Sequence, residues 1–132
     1  MNYSLVFALG IGVLITLYFA RIYLSRFKLI GEQNPLRNNH QEDNANWQLY
    51  YFHSPRCGAC KKITPWVDEQ QKKLPNVISI DISTENDTAI KFHIRATPTA
   101  VFIEKNKIID VQLGSSIGET MKEFIEKHGS TD

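Results

Sequence analysis

The two cysteines of this chain, Cys57 and Cys60, lie three residues apart. The aromatic and apolar run before them, Trp47–Phe52, predicts a buried strand, and the run after them, as far as Leu74, predicts a helix. Two thiols at such a junction can close a small disulfide. The partial positive charge of a helix N-terminus also lowers the pKa of a thiol placed there. The pair therefore indicates redox chemistry.

Thiol–disulfide exchange begins when a thiolate attacks a disulfide, and a second thiol then resolves the mixed disulfide. Cys57 suits the attacking role because the helix N-terminus and the neighbouring cation of Arg56 both favour a thiolate. Gly58 leaves room for a substrate to approach. Cys60 should lie one turn into the helix and be more buried, which suits the resolving role.

Two other readings of the cysteines are open at this point. They could be a buried structural pair, or two ligands of a zinc ion completed by His53 and His93. The sequence has no second C-x-x-C and no H-x3–5-H pattern. We therefore expect no metal and no cofactor besides a Cys57–Cys60 disulfide, with His53 tuning Cys57 or relaying protons.

Length and charge limit the rest of the chain. The 132 residues allow one domain and a short additional segment. The formal net charge of +1 gives no reason to expect nucleic acid or an acidic partner. Two cysteines are also too few for a disulfide-stapled secreted scaffold.

The N-terminal region from Asn2 to Ala20 is uncharged and apolar. As a helix it would be roughly 28 Å long, which matches the hydrocarbon thickness of a bilayer. We predict a transmembrane anchor at residues 1–24. A cleaved signal peptide is the main rival, but no Lys or Arg precedes the apolar run; a buried helix of a soluble protein is a further alternative.

Basic residues follow the apolar run, and only the α-amino group precedes it. They are Arg21, Arg26, Lys28 and Arg37. The positive-inside rule therefore predicts a single-pass protein whose domain faces the cytoplasm, with the extracytoplasmic (periplasmic) face as the alternative. Residues 25–46 are predicted to form a polar, flexible tether, because the Asn-rich part from Gly31 has hardly any apolar residue to bury. The domain is then residues 47–132.

Further elements of the domain are predicted from periodicity and turn residues. Lys105-Asn106 would form the tight turn of an antiparallel hairpin. The order from Trp47 is β-α-β-α-β-β-α, which predicts an α/β fold with a mixed four-stranded sheet and flanking helices. The strands after the first are Val77–Ile82, Pro98–Glu104 and Lys107–Leu113, and the helices after the first are a short one from Thr84 to Phe92 and a last one containing Ile117 and Phe124.

From Trp47 to about His128 the sequence resembles the thioredoxin family. The resemblance is carried by Cys57-Gly58-Ala59-Cys60 at a strand–helix turn, by Pro65, by Arg95-Ala96-Thr97-Pro98-Thr99 and by Gly114. It implies a thioredoxin-like fold and a cis Thr97–Pro98 bond that places Thr97 beside the disulfide, where an extended substrate strand could pair. The substrate-binding residues predicted in this way are Arg56, Gly58, Ala59, Thr97 and Pro98, with Cys57 and Cys60 as the catalytic pair.

The sequence also departs from the family pattern. Arg56 stands where a Trp is usual, and Ala59 replaces a proline. Tyr51 takes the place of a buried Asp, and Ser79 the place of its Lys partner. The first β-α unit of full-length thioredoxins has no counterpart. Because a tyrosine with a pKa near 10 is a poor base at pH 7, we expect slower resolution of the mixed disulfide.

Taken together, the sequence predicts a membrane-tethered thiol–disulfide oxidoreductase that contributes to cell redox homeostasis. We expect it to act as a reductant on cysteine-containing proteins, with an upstream thiol partner, and as a monomer. Two alternatives stay open. One is an outward-facing enzyme that reduces, oxidises or isomerises disulfides of exported proteins. The other is a binding module in which the cysteines are incidental.

Overall fold

The computed structural model describes residues 2–36 and 46–129. A long N-terminal helix and a short 3-10 turn precede a domain whose element order is β-α-β-α-β-β-α, as the sequence predicts. The elements are α1 (Tyr3–Ser25), the 3-10 turn (Arg26–Lys28), β1 (Trp47–His53), α2 (Cys60–Lys73), β2 (Val77–Asp81), α3 (Asn86–Lys91), β3 (Thr99–Glu104), β4 (Lys107–Leu113) and α4 (Ile117–Gly129).

The four strands form one sheet in the order β2-β1-β3-β4. Strand β1 runs parallel to β2 and antiparallel to β3, and β3 is antiparallel to β4. At the end of the sheet where β1 finishes, Phe52 pairs with Thr99, which in turn pairs with Leu113. The predicted mixed four-stranded sheet is therefore confirmed, and one row of residues marks the end that leads into the cysteine turn.

Strand β1 is buried on both faces because successive side chains of a strand point to opposite sides. Leu49 and Tyr51 pack with α2 and α4 in one hydrophobic cluster. Tyr50 and Phe52 pack in a second cluster on the other face, which includes Phe92. An apolar side chain moved fully out of water contributes about 1.5–3 kcal/mol. The strand that leads into the cysteine turn is thus fixed by packing from two sides.

The predicted turn at Lys105-Asn106 joins β3 to β4. Both residues have positive φ, 47° and 65°, as a two-residue type I′ hairpin turn requires. Neither is glycine, so the surrounding chain must support this conformation. The Lys105 amide donates to the Asn46 carbonyl at 2.9 Å, and the Asn106 carbonyl accepts from the Asn34 amide at 3.0 Å.

Helix α1 covers the predicted apolar span. None of its residues is buried against the rest of the protein, and its large apolar side chains are exposed. Its most apolar window has a mean hydropathy of 2.2, and its 23 residues would be about 34 Å long. By length and composition it could cross a membrane or serve as a signal sequence.

The chain between Leu29 and Leu36 differs from the predicted tether. Leu29 is buried in the second hydrophobic cluster. The Gly31 amide donates to the Ile108 carbonyl at 2.7 Å, and the Ile108 amide donates back to the Glu32 carbonyl at 2.8 Å. This segment therefore lies along the outer edge of β4 and belongs to the folded body, whereas residues 37–45 of the predicted tether lie outside the described residues.

Asn34 fixes the far end of this docked segment. Its side chain is 5% exposed. The side-chain amide donates to Gln48 Oε1 at 2.8 Å and to the Tyr50 hydroxyl at 3.4 Å, and Asn34 Oδ1 accepts from the Leu36 amide at 3.0 Å. A largely polar segment can dock here because hydrogen bonds to a strand edge hold it together with the buried Leu29.

Leu29→Ala should lower the free energy of unfolding by about 2 kcal/mol, because it removes a buried side chain from the cluster on β4. Ile30→Ala is the matched control, since the neighbouring Ile30 side chain is 37% exposed. It should cost less than about 1 kcal/mol. Urea unfolding of the full chain in detergent, followed by tryptophan fluorescence, measures both. Equal effects of the two substitutions would contradict the docking of this segment.

Candidate active site

The two cysteines lie in the turn that connects β1 to α2. The Cys57 amide donates to the Ser54 carbonyl at 3.2 Å, which closes the turn. Cys57 is half-buried, whereas Cys60 is buried with 2% of its surface exposed. The two sulfurs form a disulfide, with the Cα atoms 5.3 Å apart. The sulfur open to a partner is therefore that of Cys57.

Helix α2 begins at Cys60, one turn later than the sequence suggested. Cys57 precedes the helix, and the Cys60 amide donates to Cys57 Sγ at 3.2 Å. A first-turn amide has no intrahelical acceptor, so it is available to this sulfur. When the disulfide is reduced, the donor and the positive end of the helix dipole favour negative charge on Cys57. Pro65 lies inside the helix, as expected.

Residues around the cysteines differ in exposure. Arg56 and Gly58 are exposed, and Ala59 is half-buried at the start of α2. A Cβ added at Gly58 would meet nothing within 4 Å. The backbone beside Cys57 is thus open to an approaching chain.

The Thr97–Pro98 bond is cis. Pro98 is buried and Thr97 is half-buried. The Gly114 amide donates to the Pro98 carbonyl at 3.1 Å, and Gly114 has a φ of 98°, a conformation that favours glycine. Thr99 Oγ1 also donates to the Ala96 carbonyl at 2.7 Å. Two separate sequence markers of the family, the proline and the glycine, are therefore in direct contact.

Tyr51 is fully buried where the family commonly has an acid. Its hydroxyl shares a hydrogen bond of 2.9 Å with Thr64 Oγ1. Burial raises the pKa of Tyr51 above its ordinary value of 10.0, the Thr64 hydrogen bond lowers it, and the charge of Asp68 raises it further. The hydroxyl is therefore neutral at pH 7. The sequence analysis missed Thr64, although its position four residues after Cys60 places it on the same face of α2.

Ser79 pairs directly with Tyr51 across β1 and β2. Its hydroxyl is buried and has no hydrogen-bond partner among the described residues. Two of the positions at which the sequence departs from the family pattern, Tyr51 and Ser79, are thus neighbours in the sheet. A buried charged pair is replaced here by two neutral hydroxyl groups.

His53 is half-buried at the end of β1, and its ring stacks on that of Tyr51 with centroids 5.4 Å apart. Its partner in the β1–β2 register is Asp81. Hydrogen bonds from Ser83 hold the pKa of Asp81 below its ordinary value, and the nearby His53 lowers it further. His53 therefore lies between an aromatic neighbour on its own strand and an anionic neighbour on β2.

His93 is exposed, with a positive φ of 51°. Among residues 2–36 and 46–129, no three His, Cys, Asp or Glu side chains are grouped so as to hold a metal ion. The zinc reading of His53, His93 and the two cysteines thus has no support from this part of the chain.

Comparisons with known proteins agree with this site. The Thioredoxin family model matches residues 36–127. Thioredoxin H1 of Arabidopsis thaliana is 34% identical over 79 residues, which cover 58% of this chain and 68% of that protein. Thioredoxin of Bacillus subtilis is 26% identical over 80 residues, which cover 58% of this chain and 77% of that protein.

Solved structures show the same likeness. The X-ray structure of Fasciola hepatica thioredoxin superposes with a TM-score of 0.54 at 29% identity, covering 66% of this chain and 85% of that one. Reduced Schistosoma mansoni thioredoxin pre-protein superposes with a TM-score of 0.52 at 27% identity, covering 63% and 79%. The family match shows that the chain belongs to the thioredoxin family. Because its cysteine pair forms a disulfide in the β1–α2 turn, the chain is a thiol–disulfide oxidoreductase.

Proposed function

We propose that this protein is a membrane-tethered reductant of protein disulfides, with Cys57 as the attacking residue and Cys60 as the resolving one. The observation that carries the two cysteine roles is the hydrogen bond from the Cys60 amide to Cys57 Sγ, together with the greater exposure of Cys57. The amide favours the thiolate at Cys57, and exposure lets that thiolate reach a substrate.

The reaction transfers two electrons from the reduced cysteine pair to the substrate. The Cys57 thiolate attacks one substrate sulfur, breaks the substrate disulfide and releases its other sulfur as a thiolate. Cys60, once deprotonated, attacks Cys57 Sγ and releases the second substrate thiol, which leaves a Cys57–Cys60 disulfide. An upstream dithiol partner then reduces this disulfide, so no further cofactor is needed.

Substrate binding is assigned to the surface around Cys57 and to the cis-proline segment. The exposed backbone at Gly58 gives a partner chain access to the sulfur. A backbone segment such as Thr97, held by the buried Pro98, can pair with an extended peptide. The residues proposed for this role are Arg56, Gly58, Ala59, Thr97 and Pro98.

Single serine substitutions separate the two cysteine roles. Cys57→Ser should reduce turnover of a protein disulfide to the uncatalysed rate, because the attacking sulfur is lost. Cys60→Ser should still attack but fail to resolve, so a mixed disulfide should accumulate on non-reducing gels and in intact mass spectra. An active Cys57→Ser variant would contradict the assignment, and biological function retained by a double Cys57/Cys60 variant would favour a non-catalytic binding module.

Tyr51 supplies no base for the resolving step, because its raised pKa keeps it protonated at pH 7. Tyr51→Asp should therefore speed the collapse of the mixed disulfide, whereas Tyr51→Phe, which keeps the ring and removes the hydroxyl, should leave that rate unchanged. Rapid acid quenching with mass spectrometry of the mixed-disulfide fraction measures the rate. A folded Tyr51→Asp variant that resolves at the original rate would show that deprotonation does not limit this step.

The membrane assignment is supported by α1, which carries no charge as far as Ala20 and buries no residue. Water would leave this surface exposed, whereas a bilayer would cover it. In the proposed arrangement residues 1–24 anchor a monomeric domain, 47–132, to the membrane. The cations Arg21 and Lys28 follow the uncharged run Asn2–Ala20, which favours a domain in the cytoplasm.

Thiol labelling in intact cells tests this orientation. A domain in the cytoplasm should show Cys57 and Cys60 reactive only toward a membrane-permeant maleimide, and mostly reduced. Labelling by an impermeant reagent would instead place the domain outside. A mature protein that has lost residues of α1, detected by its intact mass, would show that the helix is a cleaved signal.

A further inference from the structure

The end of the sheet that carries the active site is also the end that meets α1. We infer that the disulfide site faces the membrane surface, so that its substrates are disulfides of membrane proteins located close to the lipid headgroups. The inference rests on the proposed membrane anchor and names the substrate class of the same site.

A crevice at this junction shows which residues meet. Ile22 and Ser25, in the last turn of α1, line it together with the segment His93–Arg95. Thr99 and Leu113, at the cysteine-turn end of β3 and β4, also line it. The last turn of the membrane helix therefore lies against the loop that leads into the cis-proline, at the active-site end of the sheet.

The path of the chain away from the membrane agrees with this placement. Leu29 follows the last turn of α1 and lines the same crevice near Leu113. The chain then pairs with Ile108, the second residue of β4, and reaches the Lys105-Asn106 turn through Asn34. The segment thus starts at the active-site end and finishes at the opposite end of the sheet, so the opposite end is the one directed away from the bilayer.

The order of the strands gives the distance across the sheet between β1, which leads to Cys57, and β4, which lies beside the end of α1. Strands β1 and β4 are separated by β3 alone, so they lie about 10 Å apart at the usual strand spacing. Phe52, Thr99 and Leu113 form one row across these strands. Because Cys57 follows β1 by four residues, the reactive sulfur and the end of α1 belong to the same edge of the molecule.

Charge at the junction fits a position at the headgroups. Arg21 and Lys28 flank the end of α1, and Arg95 lies in the loop that contacts it; all three are exposed. Cationic side chains next to a membrane helix are attracted to anionic headgroups by about 1 kcal/mol each. This contribution favours an orientation in which the active-site end stays close to the bilayer.

Nanodiscs containing the reduced full chain and a transmembrane peptide test the inference. The peptide carries the same two-cysteine disulfide loop at both ends, so that its orientation does not matter. In one version the loops adjoin the membrane span, and in the other a helical spacer of about 30 Å separates them. Single-turnover reduction of the adjoining loops should be roughly tenfold faster, because the local concentration of disulfide at the site is higher.

The chain offers a matched pair of insertions as controls. A Gly/Ser segment of about twelve residues reaches about 20 Å on average. Placed after Ser25, the segment lets the domain turn and move away from the membrane. The rates for the adjoining and the spaced loops should then differ by no more than about twofold. The same segment placed after Gly129, at the end of α4, should leave the preference intact.

The outcomes separate the inference from the function on which it rests. Reduction of a small soluble disulfide, 5,5′-dithiobis(2-nitrobenzoic acid), is measured in the same preparations. Activity on this compound with no preference for the adjoining loops would overturn the membrane-facing site alone. Failure to reduce it would contradict the exchange function, and failure of the chain to enter nanodiscs would contradict the anchor; either result would also remove the inference.

Discussion

Strand β1 is the constraint on which the rest of the structure depends. It is hydrogen-bonded along both edges, to β2 and to β3, and its side chains enter hydrophobic clusters on both faces of the sheet. A strand held in this way cannot shift by one residue without exchanging the two sets of buried side chains. The turn that follows it therefore begins at a fixed point. That fixed point aligns Cys57 with the first amide of α2.

Strand β1 also accommodates Tyr51 at the position where the family commonly has an acid. The aromatic ring of Tyr51 fills the space under α2, and its hydroxyl forms a hydrogen bond with the Thr64 hydroxyl. Ser79, on the neighbouring strand, is left without a partner among the described residues. An uncompensated carboxylate would be costly to bury, whereas a hydroxyl is tolerated more easily. The protein thus has a buried aromatic ring at this point, and Tyr51 supplies no carboxylate there.

Much of this architecture could be predicted from sequence because it is encoded locally. Apolar alternation and turn residues predict all four strands and the Lys105-Asn106 turn, and the structure contains each of them. The exact start of α2 was missed by one turn, because the residues between Cys57 and Cys60 do not include a strong capping signal. The first residue of a helix depends on the backbone conformation of the turn before it, and residue composition alone does not determine that conformation.

The docked segment after α1 could not be predicted for a different reason. Its composition is polar, and a polar segment is correctly expected to bury little surface. Its attachment depends on the free edge of β4 and on a single buried apolar residue, Leu29. Both belong to tertiary structure. Asn34 shows the same principle, since its buried amide finds partners only once β1 is in place.

Coverage of the Lys107–Ile108 end of β4 by residues 31–34 also bears on how copies of the protein behave toward one another. An uncovered outer strand offers unpaired amides and carbonyls to any other extended chain, and pairing of that kind leads to association between molecules. The short stretch after α1 therefore shields the Lys107 end of this edge, and its detachment would expose backbone groups to which another extended chain could bind.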